Sequence, residues 1–76
     1  MITAKCINNV DPWTKNKEKK LKVGKEYEVK HISMGGSYTS IYLVGNPYSY
    51  NSIMFEFYEN GEPINIYKDR RFNPYL

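Results

Sequence analysis

Ile53-Met54-Phe55-Glu56-Phe57-Tyr58-Glu59-Asn60-Gly61-Glu62-Pro63-Ile64-Asn65-Ile66 is the stretch that decides the fold class. Side chains alternate across a strand, so Ile53, Phe55 and Phe57 fall on one face and Met54, Glu56 and Tyr58 on the other. Asn60-Gly61 then supplies two neighbouring residues that accept positive φ, as a type I′ turn requires at both central positions. The expectation is a hairpin in which Ile64 and Ile66 return beside the strand carrying Phe55 and Phe57.

Working outward, the same period recurs. In Tyr27-Glu28-Val29-Lys30-His31-Ile32 the residues Tyr27, Val29 and His31 share a face, expected to point inward, and Glu28 and Lys30 share the other. Met34-Gly35-Gly36-Ser37 offers residues tolerant of positive φ, so a reversal there leads into Tyr38-Thr39-Ser40-Ile41-Tyr42-Leu43-Val44. Gly45 to Asn51 has turn chemistry and carries Tyr48 and Tyr50. At the start, Ile2 to Asn8 reads as a strand broken by Asn9, Asp11 and Pro12, and a polar loop with Trp13 as aromatic anchor runs from Pro12 to Lys20. The tail from Lys68 to Leu76 reads as one short helical turn before an extended segment. Five or so short strands joined by hairpins predict a mostly-β fold, a small, strongly bent antiparallel sheet or barrel, with residues 1–76 as a single domain.

Composition narrows the function classes. A chain of 76 residues holds one small core, and 41% apolar content with 16% aromatic is too rich for a disordered segment. Cys6 is the one cysteine, which excludes an intramolecular disulfide, suggests a reducing compartment, and leaves no cluster of thiols and histidines to clamp a metal. Met1-Ile2-Thr3-Ala4-Lys5 begins with a strand-like alternation rather than a secretory leader, and no segment approaches the length of a membrane span, so a cytoplasmic protein without membrane attachment is expected. The formal charge of +3 is uneven: Met1 to His31 holds eight lysines against four acids, and Ile32 to Leu76 three basic residues against four acids. That excess is weaker than the dense basic face of a dedicated duplex binder.

Lys5-Cys6-Ile7-Asn8-Asn9 followed by Leu21-Lys22-Val23-Gly24-Lys25-Glu26-Tyr27-Glu28-Val29 resembles small Src-homology-3-type (SH3-like) barrel proteins common in bacteriophages and prophages. Ile66-Tyr67-Lys68-Asp69-Arg70-Arg71-Phe72 is similar to the short helical turn before the last strand of that barrel. The resemblance implies an antiparallel SH3-like barrel and a phage-type accessory protein, and it leaves the partner open, because such folds host many functions. The segment from Tyr38 to Phe57 departs from the shortest barrels of this type, and a proline-peptide groove signature is lacking.

Chemistry-bearing residues are sparse. His31 has no Ser, Cys or Asp at a spacing that would build a nucleophilic site, and on an alternating strand beside Val29 it reads as a packed residue. Cys6 reads as a small hydrophobe. Glu56, Glu59, Glu62 and Asp69 lie on a strand, a turn and a tail rather than flanking a common substrate. The expectation is therefore a non-enzymatic protein with no catalytic residues, no metal and no cofactor.

Two clusters point to binding. Lys15-Asn16-Lys17-Glu18-Lys19-Lys20-Leu21-Lys22 has five lysines in eight residues, and with Trp13 it suits either a phosphate-bearing ligand or a solvated loop tucked over the core edge. Eight tyrosines exceed what a small core needs, because a buried phenol must find a partner. Tyr38, Tyr42 and Tyr58 are expected on an outer sheet face bordered by Tyr48 and Tyr50, near Arg70 and Arg71. Together with Trp13, Lys19 and Lys20, these form the candidate binding residues. The leading expectation is a host protein as partner, with single-stranded nucleic acid or a small nucleotide, or self-association into a homo-oligomer, as the alternatives.

Overall fold

The protein's structure, a computed structural model, describes every residue except Trp13 and Lys19. Six strands form one antiparallel sheet: β1 (Ile2–Cys6), β2 (Glu26–Met34), β3 (Thr39–Leu43), β4 (Ser49–Asn51), β5 (Phe55–Glu59) and β6 (Glu62–Ile64), in the spatial order β4-β3-β2-β1-β5-β6. Among the described residues, helical structure is limited to two single 3-10 turns, Ser52–Met54 and Ile66–Lys68. The mostly-β, antiparallel expectation is met, with one strand more than anticipated.

The sheet folds over its own core because β2 serves both halves. Its first part pairs with β1 (Thr3 opposite Glu28) and its second with β3 (Ile32 opposite Ile41), and the register shifts between Val29 and His31. One extra residue there reverses the side-chain phase: Val29 packs against the core opposite Leu43, Lys30 and His31 are both exposed, and Ile32 turns back inward. The inward placement expected for His31 is thus corrected. Strict alternation fails where a bulge inserts a residue, and His31 instead lies on the outer face beside Tyr42, ring centres 5.8 Å apart.

A single apolar cluster receives residues from both halves, with Ala4, Cys6, Phe55 and Phe57 from one and Ile41, Leu43 and Tyr50 from the other. Cys6 is buried opposite Phe55, and burial pushes its thiol pKa up, as befits a small hydrophobe. Leu21 closes the cluster from the loop after β1. That loop is itself hairpin-like: Val10 bridges to Lys17, the Asp11 amide donates to the Asn16 carbonyl at 3.0 Å, and the Lys15 amide donates to the Asp11 carbonyl at 2.7 Å. The anchoring role expected of Trp13 falls outside the described residues.

Alternation also fails before β5. Asn51 accepts from the Ile53 amide at 3.2 Å and caps a 3-10 turn, which rotates Ile53 outward and buries Met54. Ile53 is therefore not a core residue, whereas Phe55 and Phe57 are. Ile66 likewise leaves the strand to be buried in the second 3-10 turn. No strand follows that turn. The Asp69 carboxylate accepts from the Arg71 amide and Asn73 Oδ1 from the Tyr75 amide, so side chains bend the tail locally, and the expected terminal extended segment is absent.

Both predicted hairpins form, for partly different reasons. Asn60 (φ 51°) and Gly61 (φ 85°) make the two-residue turn, and Glu59 stands opposite Glu62. At the β2–β3 hairpin the φ angles of Gly35 and Gly36 are not positive; Gly35 is required by close approach, because a Cβ there would lie 2.9 Å from the Tyr38 carbonyl oxygen. Gly61→Ala should cost about 1 kcal/mol through its positive φ. For a domain of this size that corresponds to a fall in Tm of about 4–8 °C, measurable by calorimetry.

Candidate functional site

From Ile32 to Phe55 the sequence contains no Asp, Glu, Lys or Arg, although a quarter of the whole chain is charged. This neutral run builds the β2–β3 hairpin, β3, β4 and the first 3-10 turn, and so collects at one part of the molecule. A groove of about 570 Å3 lies there, between the tip of the β2–β3 hairpin (Met34 to Thr39), the first 3-10 turn (Asn51 to Ile53) and the tail, represented by Tyr67, Asn73 and Tyr75.

Each wall has a local cause. The hairpin tip closes with the Gly35 amide donating to the Tyr38 carbonyl at 2.9 Å, which leaves the Tyr38 ring exposed. The 3-10 turn presents Ile53 at 53% exposure, a large apolar side chain offered to solvent. Tyr67 ties the second 3-10 turn to the first through a 2.6 Å hydrogen bond between its phenol and the Ser52 hydroxyl. The Asn73 amide donates to the Tyr67 carbonyl at 2.7 Å and holds the tail against the groove.

Among the described residues, the lining of the groove carries no cation. Partial burial, and then the negative fields of Asp11 and Glu18 on the loop after β1, push the Tyr38 phenol pKa above its ordinary value. Asn51, only 3% exposed, uses its carbonyl oxygen as the cap, while its Nδ2 is buried without a hydrogen-bond partner among the described residues. A buried amide donor left unpaired costs about 1–3 kcal/mol, a penalty that an incoming acceptor would remove.

The residues expected to form one binding face are divided by the fold. Tyr38 lines the groove, and Tyr42 pairs with His31 on the outer face of β3. Tyr58 is half-buried on β5 between Thr3 and Pro63, with β2 and β1 separating it from β3. Tyr50, expected beside the outer face, is a core residue at 2% exposure: it faces inward opposite Ile41 and its phenol accepts from Asn46 Nδ2 at 2.9 Å. Burial raises its pKa, opposed by that hydrogen bond. Tyr48 is exposed and Lys20 Nζ lies 5.6 Å from its ring centre, so the lysine loop and one tyrosine do meet. Lys19, like Trp13, lies outside the described residues.

Arg70 is exposed, whereas Arg71 is committed. Its guanidinium makes paired bonds to Glu59 (2.7 and 2.8 Å) and further bonds to Asp69 (2.7 Å at the shortest), strapping the tail to the end of β5. These bonds hold both carboxyls below their usual range and raise the guanidinium further. Arg71 is consequently a tail clamp in place of the free cation that the sequence suggested.

Ile53, Tyr67, Tyr75 and Asn51 are groove residues missed by pattern reading. For Ile53 the sequence holds a signal: Asn51-Ser52-Ile53 is a capping sequence, and a turn begun there delays the alternation to Phe55.

Over its full length, residues 1–76, the chain matches the family described as bacteriophage T4 protein Y07B. The chain belongs to this family. No curated protein and no solved structure matches it. Membership supports a small phage-type protein, in line with the source implied by the resemblance. Among the described residues, no helix is long and apolar enough to cross a membrane, and no cluster of His, Cys, Asp and Glu could hold a metal.

The Arg71 clamp predicts an acid response. Because Glu59 and Asp69 titrate lower in the folded chain than in the unfolded one, their contribution is complete above the ordinary carboxylate pKa, about 4. It is lost as pH falls through the depressed folded values. Urea denaturation across the acid range should show this loss, and Arg71→Gln should remove the part due to the clamp.

Proposed function

We propose that this protein is a non-enzymatic phage accessory module that engages a host protein through the aromatic groove between Tyr38, Ile53, Tyr67 and Tyr75. The observation carrying this reading is the pairing of an exposed apolar anchor with tyrosines in a groove whose lining, among the described residues, carries no charge. Interface centres are depleted of charged side chains and enriched in tyrosine, whose ring and hydroxyl both make contacts at low entropic cost. We read the folded-over sheet as an SH3-like barrel, on the strength of the long shared β2, the loop after β1 and the 3-10 turn between β4 and β5.

The groove is a poor phosphate site, since among the described residues its lining brings no cation to offset the ligand's charge. A second reading, a nucleotide or single-stranded nucleic acid, is favoured only at Lys20 and Tyr48, where a cation and an exposed ring stand together. Binding there should weaken steeply with salt, and binding at the neutral groove should not.

Affinity capture from host lysate, run in parallel with wild type and Ile53→Asp, tests the leading reading. Wild type should retain one host protein at stoichiometric yield, and Ile53→Asp should lose it. Removing one well-buried side chain costs about 1.5–3 kcal/mol, roughly ten- to a hundredfold in Kd. Capture that survives Ile53→Asp but is lost in Lys20→Glu would shift the site to the lysine loop.

A further inference from the structure

The two edges of the sheet are unequal. β6, at one edge, reads Glu62-Pro63-Ile64, with a proline that cannot donate to a neighbouring strand and a charged residue beside it, both devices that discourage strand addition. β4, at the other edge, reads Ser49-Tyr50-Asn51 and carries neither. It has β3 on one side and, among the described residues, no strand on the other. The chain continues directly from β4 into the 3-10 turn that bears Ile53, so the open edge and the groove are adjoining parts of one surface.

Asn51 stands at that junction. It is the last residue of β4 and the cap of the turn, and among the described residues its Nδ2 is the buried side-chain donor left without a partner. Its Oδ1 is fixed as the acceptor by the Ile53 amide, which leaves the amino group as the end that needs an acceptor. Nδ2 is covered while the edge is empty, so a strand running along β4 would bring a peptide carbonyl to it as the packing over Asn51 opens, and the gain of an acceptor favours that opening.

We infer that the groove's occupant is an extended, uncharged segment of the partner protein that adds as a strand to the β4 edge, places an apolar side chain against Ile53 and offers a backbone carbonyl to Asn51. The charge-free run from Ile32 to Phe55 matches an uncharged segment, since a charged one would lose hydration against a lining that carries no charge among the described residues. This inference rests on the proposed protein-binding role and adds the conformation and chemistry of what is bound.

The test uses the full chain and a displayed library of random dodecapeptides. Selection should enrich peptides with uncharged centres and alternating β-branched or aromatic residues. In synthetic copies, N-methylation of alternate backbone amides should weaken binding at least tenfold, as strand pairing demands, while N-methylation of the amides between them is tolerated. Asn51→Asp keeps the cap acceptor and deletes the donor, and should weaken the selected peptides about tenfold, with its fold checked by circular dichroism. Enrichment of charged or proline-rich peptides, indifference to N-methylation, or no enrichment would each overturn the inference. So would dimerisation of the chain abolished by Ser49→Pro, which would give the edge to a second copy. If lysate capture still depends on Ile53 in any of these cases, the protein-binding reading survives and only the strand-addition mode falls. If capture is indifferent to Ile53→Asp, that reading itself fails.

Discussion

The extra residue in β2 is the constraint on which the rest of the structure depends. An uninterrupted alternation through Tyr27, Val29 and His31 would have turned Ile32 and Met34 to the outside. The register shift between Val29 and His31 keeps Val29 opposite Leu43 and Ile32 opposite Ile41, so one strand packs against the core along both halves of the sheet. Without that change of phase, β3 and β4 could not contribute Ile41, Leu43 and Tyr50 to the same cluster as Ala4 and Phe57. For a chain of 76 residues, splitting that cluster would leave neither half with enough buried surface.

The groove follows from the same geometry. Folding the second half over the first places the β2–β3 hairpin near the 3-10 turn that leads into β5, and the tail fills the remaining side. Three side-chain hydrogen bonds hold this arrangement: Asn51 caps the turn, Ser52 joins Tyr67, and Asn73 anchors to the Tyr67 carbonyl. The Arg71 clamp on Glu59 and Asp69 fixes where the tail leaves the body. The polar groups at the groove are therefore mostly spent on structure, and what they leave for a partner is aromatic surface, Ile53 and one amide donor.

The fold class was legible in the sequence because the strongest signals were local. Asn60-Gly61 forms the turn its φ requirements predict, and the Phe55-Phe57 face is the core face. A period of two misplaces His31 and Ile53, and turn chemistry misplaces Tyr50; in each case a local irregularity or a tertiary contact takes precedence. The bulge exposed His31, the Asn51 cap exposed Ile53, and pairing with Ile41 buried Tyr50. The groove was legible only in part. Tyr38 is legible, but Tyr67 and Tyr75 reach the groove through tail turns set locally by Asn65, Asp69 and Asn73, and what brings those turns against the groove is the long-range bond between Tyr67 and Ser52. Arg71 illustrates the converse: a cation counted from sequence as available is neutralised by Glu59, twelve residues upstream.

On the proposed role, partners meet this protein at its uncharged aromatic groove and not at its lysine-rich loop. Amide spectra of the isotopically labelled chain, recorded in clarified host lysate and in buffer, test it residue by residue. Line broadening should concentrate at Met34 to Thr39, Asn51 to Ile53 and Tyr67 to Tyr75. Broadening concentrated at Lys15 to Lys22, or spectra unchanged by lysate, would contradict it.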